Sequence, residues 1–219
     1  MQNELVTIGL VTYNGEKYVR RALESLLGQT YRNFELIISD DLSQDGTYDI
    51  CQEFAKRDSR INLIRQKEQL GQLKNFRFVA QKASGDYFMW AAQDDWWHPE
   101  FISVLKRALD ENKRYGVAMS SYDRILENGS LYSRMVYKGA DDIITMSREK
   151  VLKLALSKYQ IQKFYYGLFR APIIKSLCSR PFPSCKAHDR VLVAEAALGA
   201  RFYSVPDILY KITTYKKPL

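Results

Sequence analysis

The feature that most restricts the fold of this chain is a regular alternation of short apolar runs with helical segments over its first half. The apolar runs have the length of buried strands, and turn-forming residues follow them. They are Leu5–Val11, Phe34–Ser39, Ile61–Ile64 and Tyr87–Ala92. Apolar residues at helical spacing predict helices over Glu16–Gln29, around Ile50–Ala55, Leu73–Ala80 and Phe101–Asn112. This alternation is typical of an α/β domain with a mostly parallel sheet and right-handed crossovers.

The alternation weakens after Tyr115, and the rest of the chain predicts a smaller mixed region. Two strands, Val117–Leu126 and Leu131–Tyr137, flank Asn128-Gly129, a strong turn dipeptide. The segments that follow are predicted as a helix over Ser147–Lys158, a short strand at Tyr165–Phe169, a helix over Ala171–Leu177, a loop over Ser179–Lys186, a helix over Asp189–Leu198 stopped by Gly199, and one or two strands within Phe202–Thr214. We expect a single domain, 1–219, with halves of about 1–115 and 116–219.

Composition excludes several classes of protein. The 219 residues are 46% hydrophobic, which is enough for one globular domain with a full core. No apolar run approaches the ~20 residues of a membrane span, and no secretory leader opens the chain, so a cytoplasmic protein is expected. Three cysteines are too few and too scattered for a disulfide framework or a zinc site.

The net charge of +8 allows three classes of anionic partner, namely phosphorylated substrates, anionic membrane and nucleic acid. Nucleic acid is disfavoured because the basic residues are spread along the chain and form no known binding module. Peripheral contact with the inner face of the cell membrane stays open, with Lys216-Lys217 as one basic element that could contribute to it.

Acidic pairs follow two of the predicted strands. Asp94-Asp95 comes soon after the Tyr87–Ala92 run, and Asp40-Asp41 follows the Phe34–Ser39 run. Ligands of parallel sheets bind outside the carboxyl ends of the strands, where carboxylates suit Mg²⁺ or Mn²⁺. The alternative for Asp94-Asp95 is a cap on the helix that follows. Nucleotide fingerprints of the G-x-G-x-x-G and P-loop types are missing.

Several motifs together resemble the family 2 glycosyltransferases, which have the GT-A fold, a Rossmann-like, mostly parallel central sheet flanked by helices with a smaller acceptor-side half. The motifs occur in the order of the family, and the combination of Gln-Thr-Tyr with Asp-Asp-x-Ser-x-Asp-Gly-Thr is highly specific. The matching stretches are Val11–Asn14, Ser25–Tyr31, Glu35–Thr47, Gly71 with Lys74-Asn75, Ala83–Tyr87, Gln93–Pro99 and His188-Asp189.

The resemblance implies a role for each matching residue. The nucleotide-binding residues would be Thr12, Tyr13, Asp41, Lys74 and Asp94. Asp94 would also hold Mn²⁺ or Mg²⁺, and Asp189 would be the general base. The residues expected at the donor sugar or acceptor are Asp95, Trp96, Trp97 and His188, with Arg170 as a weaker candidate. From the residues alone, a helix cap is the favoured interpretation of Asp189, and the tryptophans are as readily core residues as sugar contacts.

One position departs from the family pattern. The family usually has a first Asp two residues before Asp94, and this chain has Ala92 there. One carboxylate of the usual pair is therefore missing, so a metal would rest on Asp94, diphosphate oxygens and water.

The activity implied by the resemblance is inverting transfer of a sugar from a nucleotide-diphosphate donor, UDP-sugar by family habit, to a hydroxyl of a glycan or lipid-linked acceptor, in cell-surface polysaccharide biosynthesis. The Gln-x-x-Arg-Trp motif of processive synthases is missing, which favours one sugar per encounter. The alternatives are a non-catalytic nucleotide-sugar-binding module, motivated by Ala92, and a sugar nucleotidyltransferase, disfavoured by the lack of a Gly-Thr-Arg type of loop.

Overall fold

The computed structural model describes residues 4–137, 164–182 and 188–215. Within these ranges the strands are β1 (Val6–Thr12), β2 (Phe34–Asp40), β3 (Ile61–Arg65), β4 (Tyr87–Ala92), β5 (Trp96–Trp97), β6 (Tyr115–Leu126), β7 (Leu131–Met135), β8 (Leu168–Arg170) and β9 (Arg201–Thr214). The helices are α1 (Glu16–Leu27), α2 (Thr47–Ala55), α3 (Gln72–Gln81), α4 (Phe101–Glu111), α5 (Ala171–Cys178) and α6 (His188–Gly199).

The described strands form one sheet in the order β3-β2-β1-β4-β8-β6-β9-β5, and β7 pairs with β6. The long pairings are parallel, and β4 joins the second half of the chain through short antiparallel contacts with β8. Strands β1, β2 and β4 are almost entirely buried. Their apolar character on both faces follows from the helices that cover the sheet. The predicted mostly parallel α/β sheet is therefore confirmed.

The predicted elements of the first half are all present, and β5 is an addition. The predicted strand at Tyr165–Phe169 is partly wrong, because residues 164–166 form a helical turn and β8 begins only at Leu168. Gly167 lies at this junction, where an added Cβ would be 2.4 Å from the carbonyl oxygen of Ala118. The predicted helix over Ser147–Lys158, the second half of the loop over Ser179–Lys186, and Lys216-Lys217 lie outside the described residues.

The centre of the core is an aromatic cluster around Trp90 on β4. Trp90 is fully buried, and its indole Nε1 donates a 2.9 Å hydrogen bond to the carbonyl oxygen of Phe76. Its ring stacks on Tyr165 with centroids 4.4 Å apart. Phe169 and Phe182 contact the same ring edge-on. Trp90 thus joins the first half of the chain to the segment that precedes β8.

Arg170 has a structural role at the end of the sheet where β4 begins. Its guanidinium donates to the carbonyl oxygens of Tyr115 and Leu109 and to the hydroxyl of Tyr87, at 2.9, 2.5 and 3.0 Å. Ligands of such sheets bind at the opposite, carboxyl end of the strands. The expectation that Arg170 contacts acceptor or phosphate is therefore wrong in this structure.

None of the described helices combines the length and the apolar character that a bilayer-spanning helix requires.

Trp90→Ala should lower the free energy of unfolding by about 3–5 kcal/mol, because it removes a large buried side chain and leaves a cavity. Urea denaturation measures the change. Trp96→Ala is the matched control, since Trp96 is only half-buried, and it should cost about 1 kcal/mol or less. Equal losses in the two variants would contradict the central role of Trp90.

Candidate active site

A cleft of about 500 Å³ opens at the carboxyl ends of β1, β2 and β4. This is where a ligand site is expected in a sheet of this kind. Its lining consists of Val11, Tyr13, Asp41, Gln69, Gly71, Gln72, Phe76, Ala92, Gln93, Asp94 and Tyr166. Three of the predicted nucleotide-binding residues, Tyr13, Asp41 and Asp94, therefore meet in one cleft.

The floor of the cleft is held by the fully buried carboxylate of Asp40, the last residue of β2. Oδ1 accepts hydrogen bonds from the hydroxyls of Thr12 and Ser43, at 3.1 and 2.5 Å, and Oδ2 accepts from the backbone N–H of Ser43 at 3.1 Å. The Ser43 hydroxyl in turn accepts from the N–H of Asn14 at 3.0 Å. Thr12 is fully buried, so it supports the cleft from below.

Asp41 connects the β2 loop to the start of α3. Its two carboxylate oxygens accept from the backbone N–H groups of Leu70 and Gly71, at 2.7 and 2.9 Å. Gly71 has a φ of +75°, a conformation that favours glycine. Each carboxylate oxygen keeps a further lone pair, so Asp41 can still accept a hydrogen bond from a ligand.

Tyr13 stands at the mouth of the cleft with 44% of its surface exposed, and its backbone is fixed by Gln93. The Gln93 carboxamide accepts from the Tyr13 N–H and donates to the Tyr13 carbonyl oxygen, both at 2.9 Å. Gly15 makes room for this carboxamide, because an added Cβ would lie 2.3 Å from it. The Tyr13 hydroxyl accepts from Nε2 of Gln69 at 2.9 Å. The ring is therefore presented in one orientation.

Asp94 is half-buried in the wall of the cleft and is held by the end of β9. One carboxylate oxygen, Oδ2, accepts from the hydroxyl of Tyr215 at 2.7 Å. Its carbonyl oxygen accepts from Nη2 of Arg21 at 2.6 Å and from the hydroxyl of Thr213. Burial and the bond to Asp94 raise the pKa of Tyr215, so this phenol stays a donor. No described residue donates to Oδ1 of Asp94, so within the described ranges this oxygen is available to a ligand.

Asp95 points away from the cleft, although it is the next residue. Only 3% of it is exposed, and its carboxylate accepts from the Tyr210 hydroxyl and from the Thr213 N–H at 2.9 Å. The expectation that Asp95 lines the donor sugar is therefore wrong in this structure. The alternative of a helix cap is also wrong, since α4 begins at Phe101, after Glu100, without a side-chain cap.

The tryptophans after Asp95 form β5, which pairs with β9. Trp97 is fully buried and stacks on Tyr210 with centroids 5.5 Å apart, so it is a core residue and not a sugar contact. Trp96 is half-buried, lies outside the lining of the cleft, and carries the ammonium of Lys211 4.7 Å above its ring. The sugar-contact expectation for Trp96 is thus unsupported by its position.

Asp189 lies in the first turn of α6, where its Oδ1 accepts from the N–H of Arg190 at 2.9 Å. His188 begins the same helix, but its side chain lies outside the described part of the structure. Lys74 is exposed on α3, one turn after Gly71, and it makes no hydrogen bond or ion pair with the residues that the structure describes. Neither Asp189 nor Lys74 belongs to the lining of the cleft.

Tyr166 is a cleft residue that the sequence reasoning missed. Burial raises the pKa of its phenol first, and the carboxylates of Asp95, Asp94 and Asp189 raise it further. Tyr166 lines the cleft together with Asp94 and Phe76. A Tyr-Tyr-Gly sequence before a short strand was the available signal, but its residues look like strand residues.

The donor set of the cleft fits a divalent cation only in part. Across residues 4–137, 164–182 and 188–215, no group of three or more His, Cys, Asp or Glu side chains could enclose an ion. The described lining contains the carboxylates of Asp41 and Asp94 and no Lys or Arg. Mg²⁺ or Mn²⁺ is commonly held by one carboxylate with phosphate oxygens and water. Asp94 therefore fits a cation that completes its coordination with a phosphate ligand and water.

Gly15→Ala should displace the Gln93 carboxamide and remove its two hydrogen bonds to Tyr13, at a cost of about 1 kcal/mol in unfolding free energy. Gln93→Ala should cost about the same. Both changes remove the same interaction, so the double variant should be no less stable than either single variant. The double-mutant cycle, measured by urea denaturation, should therefore give a coupling energy of about 1 kcal/mol between Gly15 and Gln93. Additive losses would contradict the proposed linkage.

Comparison with known proteins extends the resemblance to most of the chain. The family model described as "Glycosyl transferase family 2" matches residues 7–177. EpsH of Bacillus subtilis is 39% identical over 113 residues, which are 51% of this chain and 32% of EpsH. Glycosyltransferase GlyA of Streptococcus pneumoniae is 29% identical over 130 residues, 59% of this chain and 18% of GlyA. The chain thus spans less than half the length of these curated relatives.

Solved structures share the fold. S. aureus TarS in complex with UDP-GlcNAc superposes with a TM-score of 0.78 at 21% identity, covering 97% of this chain and 59% of TarS. The Pyrobaculum calidifontis mannosyltransferase PcManGT, in complex with GDP-Man and Mn²⁺, gives 0.68 at 17% identity, covering 95% of this chain and 56% of that chain. With the family match over residues 7–177, these findings show that the chain belongs to glycosyltransferase family 2 and adopts the GT-A fold.

Proposed function

We propose that this protein is an inverting glycosyltransferase that moves a sugar from a UDP-sugar to a hydroxyl group of an acceptor. The observation that carries the proposal is the meeting of Tyr13, Asp41 and Asp94 in one cleft at the carboxyl ends of β1, β2 and β4. Family membership supports the reaction type, since the relatives include a named glycosyltransferase.

The nucleotide would occupy the end of the cleft formed by Tyr13 and Asp41. The exposed, fixed ring of Tyr13 offers a stacking surface for a base. The remaining lone pairs of Asp41 would accept a hydrogen bond from an N–H of the base. Thr12 would support the nucleotide site from below, through its hydrogen bond to Asp40. UDP is favoured because TarS, which has the same fold, has been solved with UDP and with UDP-GlcNAc.

The diphosphate would lie against Asp94. Asp94 would hold Mn²⁺ or Mg²⁺, which would supply charge neutralisation for the leaving group. Lys74 carries a cation on the neighbouring surface of α3 and would add to this neutralisation from outside the described lining.

Asp189 would be the general base on the acceptor side. The acceptor oxygen attacks the anomeric carbon as the bond from that carbon to the diphosphate oxygen breaks, and the nucleoside diphosphate leaves with the electron pair. Asp189 takes the proton of the acceptor hydroxyl. Its position in the first turn of α6 favours the ionised carboxylate that this role needs.

Asp189→Asn should lower the rate of sugar transfer by about 100-fold or more, because it removes the proton acceptor. The affinity for UDP, measured by calorimetry, should stay within about twofold of the unchanged protein. Glu195→Gln on the same helix is the matched control and should retain activity. Unchanged turnover in Asp189→Asn would exclude Asp189 as the base.

Binding of UDP should depend on a divalent cation, and chelation should weaken it by about tenfold or more, because the described lining has carboxylates but no cationic side chain. Asp94→Ala should abolish the difference between the UDP affinity in Mn²⁺ and the UDP affinity in chelator. The exposed Asp207 provides the matched control, Asp207→Ala, which should keep it. Equal affinity with Mn²⁺ and with chelator in the unchanged protein would show that the cation is not required.

We place the acceptor among cell-surface glycans or lipid-linked precursors. A Bacillus subtilis relative named for teichuronic acid biosynthesis, 26% identical over 133 residues, supports this choice. The net charge of +8 suits a cytoplasmic protein in peripheral contact with anionic membrane at its inner face.

Ala92 favours a second candidate, a non-catalytic module that binds nucleotide-sugar. Such a protein would bind UDP in the same cleft but would neither transfer nor hydrolyse any donor sugar. Release of UDP from a panel of UDP-sugars, with and without acceptor glycans, separates the two functions.

A further inference from the structure

Tyr166 lies in the same cleft wall as Asp94, on the side of the segment that leads to β8. It lines the cleft together with Phe76 from α3. It precedes Gly167, at the junction where a helical turn changes to strand. Tyr166 comes from the second half of the chain, whereas Tyr13 and Asp41 come from the first.

The ring of Tyr166 is positioned by neighbours that do not themselves line the cleft. It packs edge-on against Tyr165, with centroids 5.3 Å apart, and Tyr165 is stacked on Trp90. On the other side it lies 6.1 Å from the ring of Tyr210, which is fully buried and bonded to Asp95. The phenol is therefore held between two parts of the core.

The charge around Tyr166 is negative. The formally charged residues of the described cleft lining are Asp41 and Asp94, with no Lys or Arg among them. Asp95, Asp94 and Asp189 all raise the pKa of the Tyr166 phenol, after burial as the largest cause. The phenol is consequently neutral at physiological pH, and at least three carboxylates lie within electrostatic reach of it.

We propose that Tyr166 contacts the transferred sugar and that the acidic groups around it restrict the donor to neutral sugars, excluding uronic acids. This inference rests on the proposed function. The nucleotide end of the cleft is assigned to Tyr13 and Asp41, and Asp94 is assigned to the diphosphate. Tyr166 lines the cleft together with Asp94, and the transferred sugar is bonded to the diphosphate that is assigned to Asp94.

The chemistry of Tyr166 matches a neutral hexose or N-acetylhexosamine. Its hydroxyl can exchange hydrogen bonds with sugar hydroxyls, and its ring can cover the C–H face of a pyranose. A uronate would bring a carboxylate towards Asp94 and Asp41 in a cleft whose described lining contains no Lys or Arg. Like charges brought together in a binding site reduce affinity strongly.

The test is calorimetric titration of the full chain, in Mn²⁺, with UDP, UDP-glucose, UDP-N-acetylglucosamine and UDP-glucuronate. UDP-glucuronate should bind about tenfold or more weaker than the better neutral sugar. Tyr166→Phe should weaken that neutral UDP-sugar about fivefold, the effect of one lost hydrogen bond, and leave UDP within about twofold. Asp189→Asn should reduce the difference in affinity between the neutral UDP-sugar and UDP-glucuronate. If the uronate were excluded only by steric clash, this difference would stay the same.

The matched control is Tyr203→Phe, since Tyr203 is a half-buried tyrosine that packs against Tyr115 away from the cleft, and it should change no affinity. The inference is overturned if UDP-glucuronate binds as tightly as the neutral sugars, or if Tyr166→Phe leaves the ratio of UDP to UDP-sugar affinity unchanged. If the unchanged protein binds no UDP at all, the UDP-dependent function fails, and the inference that rests on it fails too.

Discussion

The buried carboxylate of Asp40 is the interaction on which the cleft depends. It joins the loops after β1 and β2 through Thr12 and Ser43, and Ser43 passes the connection on to Asn14. A carboxylate without solvent contact is costly unless hydrogen bonds satisfy it, so these loops have little freedom to separate. Tyr13 and Asp41, the residues that follow Thr12 and Asp40, are consequently presented at fixed positions on the rim.

The second half of the chain completes the site through the sheet. Strand β9 runs parallel to β6, and residues at its end, Thr213 and Tyr215, hold the backbone and the carboxylate of Asp94. Arg21 from α1 contacts the same carbonyl oxygen. Asp94 is thus fixed by two segments far from it in sequence, which gives a lone carboxylate a defined direction despite Ala92. The same half supplies Tyr166. The second half of the chain therefore shapes both the proposed diphosphate site at Asp94 and the proposed sugar site at Tyr166.

The residues that sequence reasoning placed well are those at strand ends. Tyr13, Asp41 and Asp94 were predicted at one edge of the sheet, and the cleft contains all three. The residues next to them were harder to place, because Asp94 and Asp95 lie in the turn between β4 and β5, where strand alternation does not set the direction of a side chain. Asp95 turns into the core to meet Tyr210, and Trp97 follows it, although nothing in Asp-Asp-Trp-Trp distinguishes the inward from the outward residues. Arg170 was misjudged for a related reason, since its partners are carbonyl oxygens and a hydroxyl that only the folded chain brings together.

By itself, the sequence determined the alternating α/β order, the edge of the sheet that carries the site and the family motifs, because local apolar periodicity and turn residues are written in consecutive positions. The tertiary structure alone decided which carboxylate faces the cleft, which tryptophan is buried, and that Tyr166 lies beside Asp94. Those outcomes depend on contacts between residues more than 70 positions apart, such as Asp95 with Tyr210 and Asp94 with Tyr215. The physical reason is that the direction of a polar side chain is set by the partner that satisfies it, and that partner is chosen by the packing of the whole chain.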